Sequence, residues 1–143
     1  EVNLLGPIVR ELSRMYPACR LVISSTTASG LELARKQFAQ HTVFRCPLDF
    51  TWAHRNVLKH FDVELIVLSE LEIWPNLLQL ASERSIPISV INGRLSEKSY
   101  RGYLRIKPFV QRYFRLLSYV GAQNATYAER FISLGCNVDK VQI

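Results

Sequence analysis

The sequence predicts an α/β fold, an open parallel sheet with helices on both faces. Three observations carry that prediction. Helical and strand-like segments alternate from end to end, as in strands joined by helical crossovers. The run Leu65-Ile66-Val67-Leu68 is continuously apolar, the pattern of a strand buried on both faces of a parallel sheet. Each strand-like run is followed by a short polar turn, and right-handed crossovers bring such turns to one edge of a sheet.

The elements follow in order. Leu4, Leu5, Ile8, Val9, Leu12 and Met15 recur at helical spacing, and Pro17 closes that first helix. Leu21 to Ser25 reads as a strand. Thr26-Thr27-Ala28-Ser29-Gly30 is a polar turn before a helix from about Leu31 to Gln40, with Ser29 expected as N-cap and Glu32 in its first turn. A strand near Thr42 to Arg45 ends in Cys46-Pro47-Leu48-Asp49. Asp49 or Thr51 is expected to cap the helix that runs on to about His60. The central strand leads into Ser69-Glu70-Leu71-Glu72-Ile73-Trp74-Pro75-Asn76, and Pro75 suits the first turn of a helix. Strand Ile88 to Ile91 and the turn Asn92-Gly93-Arg94-Leu95-Ser96 come next. Helical stretches from Glu97 to Leu117, broken at Pro108, precede strand Tyr119 to Ala122. A helix from Ala125 to Leu134 is closed by Gly135 as C-cap.

Composition bounds the class. The chain has 143 residues, 48% hydrophobic and 21% charged, enough for one compact domain over residues 1–143 with a real core. Eighteen basic against twelve acidic residues give a net charge of +6, which favours an anionic partner. Because the basic residues are spread over several elements, nucleic acid is not expected. Cys19, Cys46 and Cys136 are too far apart for a disulfide framework or a zinc site, and His41, His54 and His60 lack metal-ligand spacing. There is no Walker motif, dinucleotide glycine fingerprint or Cys or His cluster, so an enzyme of those common cofactor types is not expected, and neither a cofactor nor a metal site is assigned. No apolar run reaches the roughly 18 to 20 residues that span a bilayer. The chain opens at Glu1 and stops in the strand-like Val141-Gln142-Ile143, which is expected of a piece of a longer protein.

Candidate site residues fall in the turns after strands. Thr26, Thr27 and Ser29, ahead of Gly30, can grip a phosphate or a sugar hydroxyl, but capping alone explains them and is the more common role. Asp49 is open to the same two readings. Glu70 and Glu72 stand at the carboxyl end of a buried strand, where ligands bind in open α/β sheets. Acids there need a chemical role or a basic partner, and an ion pair with Arg94 and a catalytic role stand level. Arg94 and Ser96, with Asn92, make a polar, basic helix start suited to an anionic substrate.

Together these residues carry a resemblance. Glu1-Val2 at a helix start, Thr26-Thr27-Ala28-Ser29-Gly30, Pro47-Leu48-Asp49, Glu70-Leu71-Glu72-Ile73-Trp74-Pro75-Asn76, Asn92-Gly93-Arg94-Leu95-Ser96, Ala122-Gln123-Asn124 and Arg130-Phe131 through Leu134-Gly135 run in register along almost the whole chain. In that order they resemble the N-terminal domain of the 3-deoxy-D-manno-octulosonic acid (Kdo) transferases. The departures are Leu71 and Gly93, where the family more often has Thr and Ala.

The resemblance implies a Rossmann-like domain that forms the N-terminal, acceptor-binding half of a GT-B glycosyltransferase. Its partners are then CMP-Kdo, held by a C-terminal domain, and a phosphorylated lipid A precursor, lipid IVA. It also implies inverting transfer without a metal and a site at the cytoplasmic face of the bacterial inner membrane, reached through a segment outside this chain. Glu1 falls on the family's general base, the carboxylate that takes the acceptor proton. Glu70 is assigned to electrostatic stabilisation of the oxocarbenium-like transition state, with Glu72, Thr27, Ser29, Gly30, Asp49, Asn92, Arg94 and Ser96 as acceptor-binding or supporting residues. The chain alone is expected to be inactive. Arg94, Arg101, Arg105, Lys107, Arg112 and Arg115 are expected to face the anionic acceptor and membrane. The alternative is a non-catalytic α/β module that binds an anionic sugar or lipid.

Overall fold

The structure, a computed structural model, describes residues 2–71 and 73–143, the side chain of Asn3 excepted. Glu1 and Glu72 lie outside the described residues. The chain divides into two compact units, Glu1–Leu48 and Asp49–Ile143.

In the first unit, helix α1 (Val2–Met15) packs on α2 (Ala28–Gln37), and α2 lies on strands β1 (Val22–Ser25) and β2 (Thr42–Arg45). The strands pair in parallel, Val22 opposite Thr42 through Ser25 opposite Arg45. Their core is Val9, Ile23, Ala34 and Phe38, with Leu5, Leu21 and Val43 packed around it. The apolar period of the first helix is thus used in part: Leu5 and Val9 face inward, while Leu4 and Met15 stay exposed.

The second unit begins with α3 (Thr51–Phe61), which packs on α4 (Pro75–Glu83). Its strands β3 (Ile66–Ser69), β4 (Ile88–Gly93), β5 (Tyr119–Ala122) and β6 (Val141–Gln142) form a parallel sheet in sequence order. Between them run α5 (Glu97–Arg105), α6 (Lys107–Phe114) and α7 (Ala125–Leu134). Helices α4, α6 and α7 pack against one another in that order, and Leu78, Ile88, Val90, Val110, Phe114, Val120, Phe131 and Leu134 make the core. The α/β class and the parallel pairing are therefore as the sequence predicts, with the strands shared between a two-stranded and a four-stranded sheet.

Three local expectations are corrected. The central run is not buried on both faces, because Leu65 and Val67 are 49% and 40% exposed while Ile66 and Leu68 pack on the core. A continuous apolar run has no period to tell one covered face from two. The break between α5 and α6 falls at Ile106, ahead of Pro108. Proline lacks only a donor that the first helical turn leaves unpaired, so Pro108 opens the second helix. Glu32 lies beyond the first turn of α2 and instead bonds Lys36 at 2.8 Å, one turn on.

Two backbone features shape the carboxyl edge of the larger sheet. Glu70, just past β3, has φ 60°, and Asn92, near the end of β4, has φ 53°. Both are left-handed conformations that cost an L-residue energy, least so for Asn. From Val90 opposite Val120 to Gly93 opposite Ala122, β4 advances three residues while β5 advances two. The extra residue is a bulge, and the left-handed Asn92 lies within it.

Candidate functional site

Thr27 is the N-cap of α2, its backbone extended and its hydroxyl accepting from the Gly30 N–H at 3.1 Å. Ser29, expected in that role, lies inside the helix. The turn is tight: a Cβ on Gly30 would stand 2.3 Å from Ser25 Oγ and 2.8 Å from Thr27 Oγ1, so a side chain there would have to turn those two hydroxyls away. Beside it an open cleft of about 320 Å³ is lined by Thr26, Arg45, Cys46, Pro47 and Leu48. Exposed Thr27 and Ser29 at a helix start, with Arg45 among the residues lining the cleft, give this edge of the first unit the chemistry to take an anion.

In the second unit three turns stand side by side after β3, β4 and β5. The Glu70 N–H donates to Ile91 O at 2.9 Å, and the Gln123 N–H donates to Gly93 O at 3.0 Å. Gln123 Nε2 also donates to Asn92 Oδ1 at 2.8 Å, which fixes the Asn92 amide. Among the described residues Asn92 Nδ2 and Ser69 Oγ are buried without a hydrogen-bond partner, two polar groups near the Glu70 turn. Nothing in the sequence pattern singles out Ser69, a small polar residue at the end of an apolar strand.

Asp49 does something the sequence reading did not foresee. It does not cap α3, whose N-cap Phe50 makes no side-chain cap bond. Its carboxylate instead accepts the Asn76 N–H at 3.0 Å and the Leu77 N–H at 3.1 Å, and so caps α4, the helix that follows Glu70. Asn76 returns the contact by donating its Nδ2 to Asp49 O at 2.7 Å, and Thr51 Oγ1 donates to Asn76 Oδ1 at 2.9 Å. The negative end of this clasp meets the positive end of the helix.

His54, given no role from sequence, is the buried member of the same cluster. It is 2% exposed, with Nε2 3.0 Å from Asp49 Oδ1 and its ring edge-on to Trp74. The contact falls short of a well-aligned hydrogen bond, so Nε2 counts as unpaired by geometry although the distance is right for one. Burial pushes the imidazole below its ordinary pKa, and the Asp49 carboxylate opposes that shift.

Ser96 is the N-cap of α5, accepting from the Ser99 N–H at 3.2 Å. Arg94 is exposed and forms no ion pair with Glu70; among the described residues the acid that organises this turn is Glu97, bound by Arg101 and Arg130. Arg130 also donates to Leu95 O at 2.6 Å and lies over the Tyr100 and Tyr127 rings. It is therefore the pin of the Asn92–Ser96 turn, a function its place on α7 hides from local sequence reading. Cys136 is buried against Phe114 O, and burial pushes its thiol up to about 12, an unreactive group.

Comparison with known proteins gives the following. Residues 1–143 match the family described as 3-Deoxy-D-manno-octulosonic-acid transferase (kdotransferase). A 3-deoxy-D-manno-octulosonic acid transferase of Chlamydia muridarum is 30% identical over 145 residues, covering 100% of this chain and 34% of the relative. One of Haemophilus influenzae is 29% identical over 144 residues, with the same coverages. A bifunctional glycosyltransferase/methyltransferase of Fusobacterium nucleatum is 31% identical over 147 residues, covering 99% of this chain and 22% of its own length. Among solved structures, the UDP-GlcNAc 2-epimerase of Neisseria meningitidis bound to UDP-GlcNAc has a TM-score of 0.67 over 100% of this chain and 43% of that one. At 14% identity that likeness concerns the fold alone.

Proposed function

The chain belongs to the 3-deoxy-D-manno-octulosonic-acid transferase (Kdo transferase) family, and on that premise we propose that it is the acceptor-binding half of an inverting glycosyltransferase. The chain spans about a third of the length of the transferases it matches, so the activity belongs to a longer protein. That protein transfers Kdo from CMP-Kdo, held by its C-terminal part, to a hydroxyl of the phosphorylated lipid A precursor, lipid IVA, in lipopolysaccharide synthesis. It works at the cytoplasmic face of the bacterial inner membrane, where the +6 charge of this chain attracts an anionic acceptor.

The observation that carries this reading is the Glu70 turn. A carboxylate is held on left-handed backbone at the carboxyl end of β3, hydrogen-bonded through its backbone to β4, with the helix behind it clamped by Asp49. Strain retained at a rigid sheet edge is a mark of function. In the proposed mechanism Glu1 takes the proton of the acceptor hydroxyl as it attacks, and the Glu70 carboxylate stabilises positive charge developing on the sugar ring. CMP leaves through its phosphate oxygen without needing a general acid. Thr27, Ser29, Gly30, Asn92, Arg94 and Ser96 are the residues assigned to the sugar and phosphate groups of the acceptor, as hydroxyls, amides and a cation. Glu72 supports the Arg94 turn.

The test is transfer by the protein of the full reading frame, assayed with CMP-Kdo and lipid IVA. Glu1→Gln is expected to lower turnover by about 10² to 10⁴, the range for loss of a general base. Glu70→Gln is expected to lower it by about 10² to 10³ with little change in acceptor KM. Undiminished turnover in Glu1→Gln overturns the base assignment, and undiminished turnover in Glu70→Gln overturns the role of the strained turn.

A further inference from the structure

We propose that the outward face of α3 docks on the surface of an anionic lipid bilayer, with Trp52 as the residue that enters it. Phe50 and Trp52 are 53% and 67% exposed, and their rings stack at 6.2 Å and 10°. Large aromatics in water are costly, and this pair is displayed on a fixed scaffold. Asp49 and Thr51, on either side of Phe50, are both bonded to Asn76 or its neighbour.

The rest of the face says what it meets. Trp52, Arg55, Asn56 and Lys59 follow the i, i+3, i+4, i+7 spacing of one helical stripe, and all four are exposed, while Ala53, His54 and Leu58 are buried on the other side. The helix, Thr-Trp-Ala-His-Arg-Asn-Val-Leu-Lys-His-Phe, contains no acid. Asp49, just before it, is occupied with Asn76, Leu77 and His54, and Asp62 lies at the far end as C-cap. An exposed Trp at one end of a stripe of cations suits a headgroup interface, where the indole sits at the polar boundary and the cations meet anionic lipid. The inference rests on the reading of the protein as an enzyme of the membrane surface and adds a contact separate from the α5–α6 cations.

The experiment uses the full-length protein with 5-fluorotryptophan, reconstituted with phosphatidylethanolamine vesicles with or without phosphatidylglycerol. The Trp52 resonance is identified by its loss in Trp52→Phe. A headgroup-region spin-labelled lipid is expected to broaden it on the anionic vesicles and much less on the zwitterionic ones. Arg55→Ser and Lys59→Ser are each expected to reduce that broadening about fivefold, the weight of one cation near such a surface. A Trp52 resonance that stays sharp on anionic vesicles overturns the proposal. So does one already shielded from soluble quenchers before vesicles are added, which assigns the face to another part of the protein, or to a second copy if shielding grows with concentration. Kdo transfer by the same preparation separates the two claims: turnover with an unbroadened Trp52 removes the docking face and leaves the transferase reading in place.

Discussion

Replacing Asp49 tests the idea that one carboxylate holds the helix behind the Glu70 turn. Asp49→Ala removes the acceptor of two backbone N–H groups, those of Asn76 and Leu77, at the start of α4. Loss of an N-cap acceptor costs about 1–2 kcal/mol, and loss of a negative charge at a helix N-terminus adds about 0.3–1 kcal/mol. The site is half-buried, so water replaces the lost bonds only in part, and the sum is about 1–3 kcal/mol. Asp49→Asn keeps one oxygen acceptor in place and is expected to lose about 1 kcal/mol.

Amide hydrogen exchange reads this directly, because local opening of α4 exposes those two amides. For 2 kcal/mol the exchange of Asn76 and Leu77 accelerates roughly 30-fold in Asp49→Ala. The Phe114 amide, in α6, is expected to change little. Exchange within about threefold of wild type at Asn76 and Leu77 refutes the clamp. An Asp49→Asn variant that loses as much as Asp49→Ala refutes the division between cap and charge.

Three further outcomes follow from neighbouring groups. The folded-state pKa of His54 lies below the ordinary 6.5, so the unfolded chain binds the proton more readily. Stability is then undiminished above pH 6.5 and erodes as pH falls through 6.5 towards the depressed value. Urea midpoints taken between pH 7.5 and 5 should fall in wild type and fall less in His54→Gln, and equal slopes would remove His54 as the source. Arg130→Lys is expected to cost about 1–2 kcal/mol in urea unfolding, because an ammonium cannot hold both Leu95 O and Glu97 in one fork; full stability in the lysine variant counts against the pin. Glu70→Gly is expected to be more stable than Glu70→Ala by about 1 kcal/mol, since only glycine takes φ 60° without strain, while both lose transfer activity.

How much of this was legible follows from how local each feature is. Strands β1, β2, β4 and β5 lie within a residue or two of where their apolar runs put them, because burial against an adjacent helix imposes its pattern residue by residue. The cap of α2 is off by two positions because Thr27 and Ser29 are equally suited by type. The structure settles it at Thr27, whose hydroxyl accepts the Gly30 N–H. Asp49 is a different matter. Its partners are 27 and 28 residues away, and nothing in the spacing Asp49-Phe50-Thr51 shows that the next helix is not the one it caps. Arg130 is hidden in the same way, 33 residues from Glu97.

The same distinction explains where the site is. Glu70 and Asn92 take left-handed backbone on neighbouring strand ends, and each is tied by its backbone or side chain to the next turn along the edge. Neither residue is a member of the apolar core. The strain is held from outside, by the Asp49 cap on one side and Gln123 on the other. A fold selected for stability alone would favour Gly at position 70, where it takes left-handed backbone without steric strain. That a glutamate stands there is the reason to look for charge as its use, and the Gly and Ala variants separate the two: a gain in stability joined to a loss of transfer locates the function in the carboxylate, whereas a gain with transfer intact makes Glu70 a residue of the turn only.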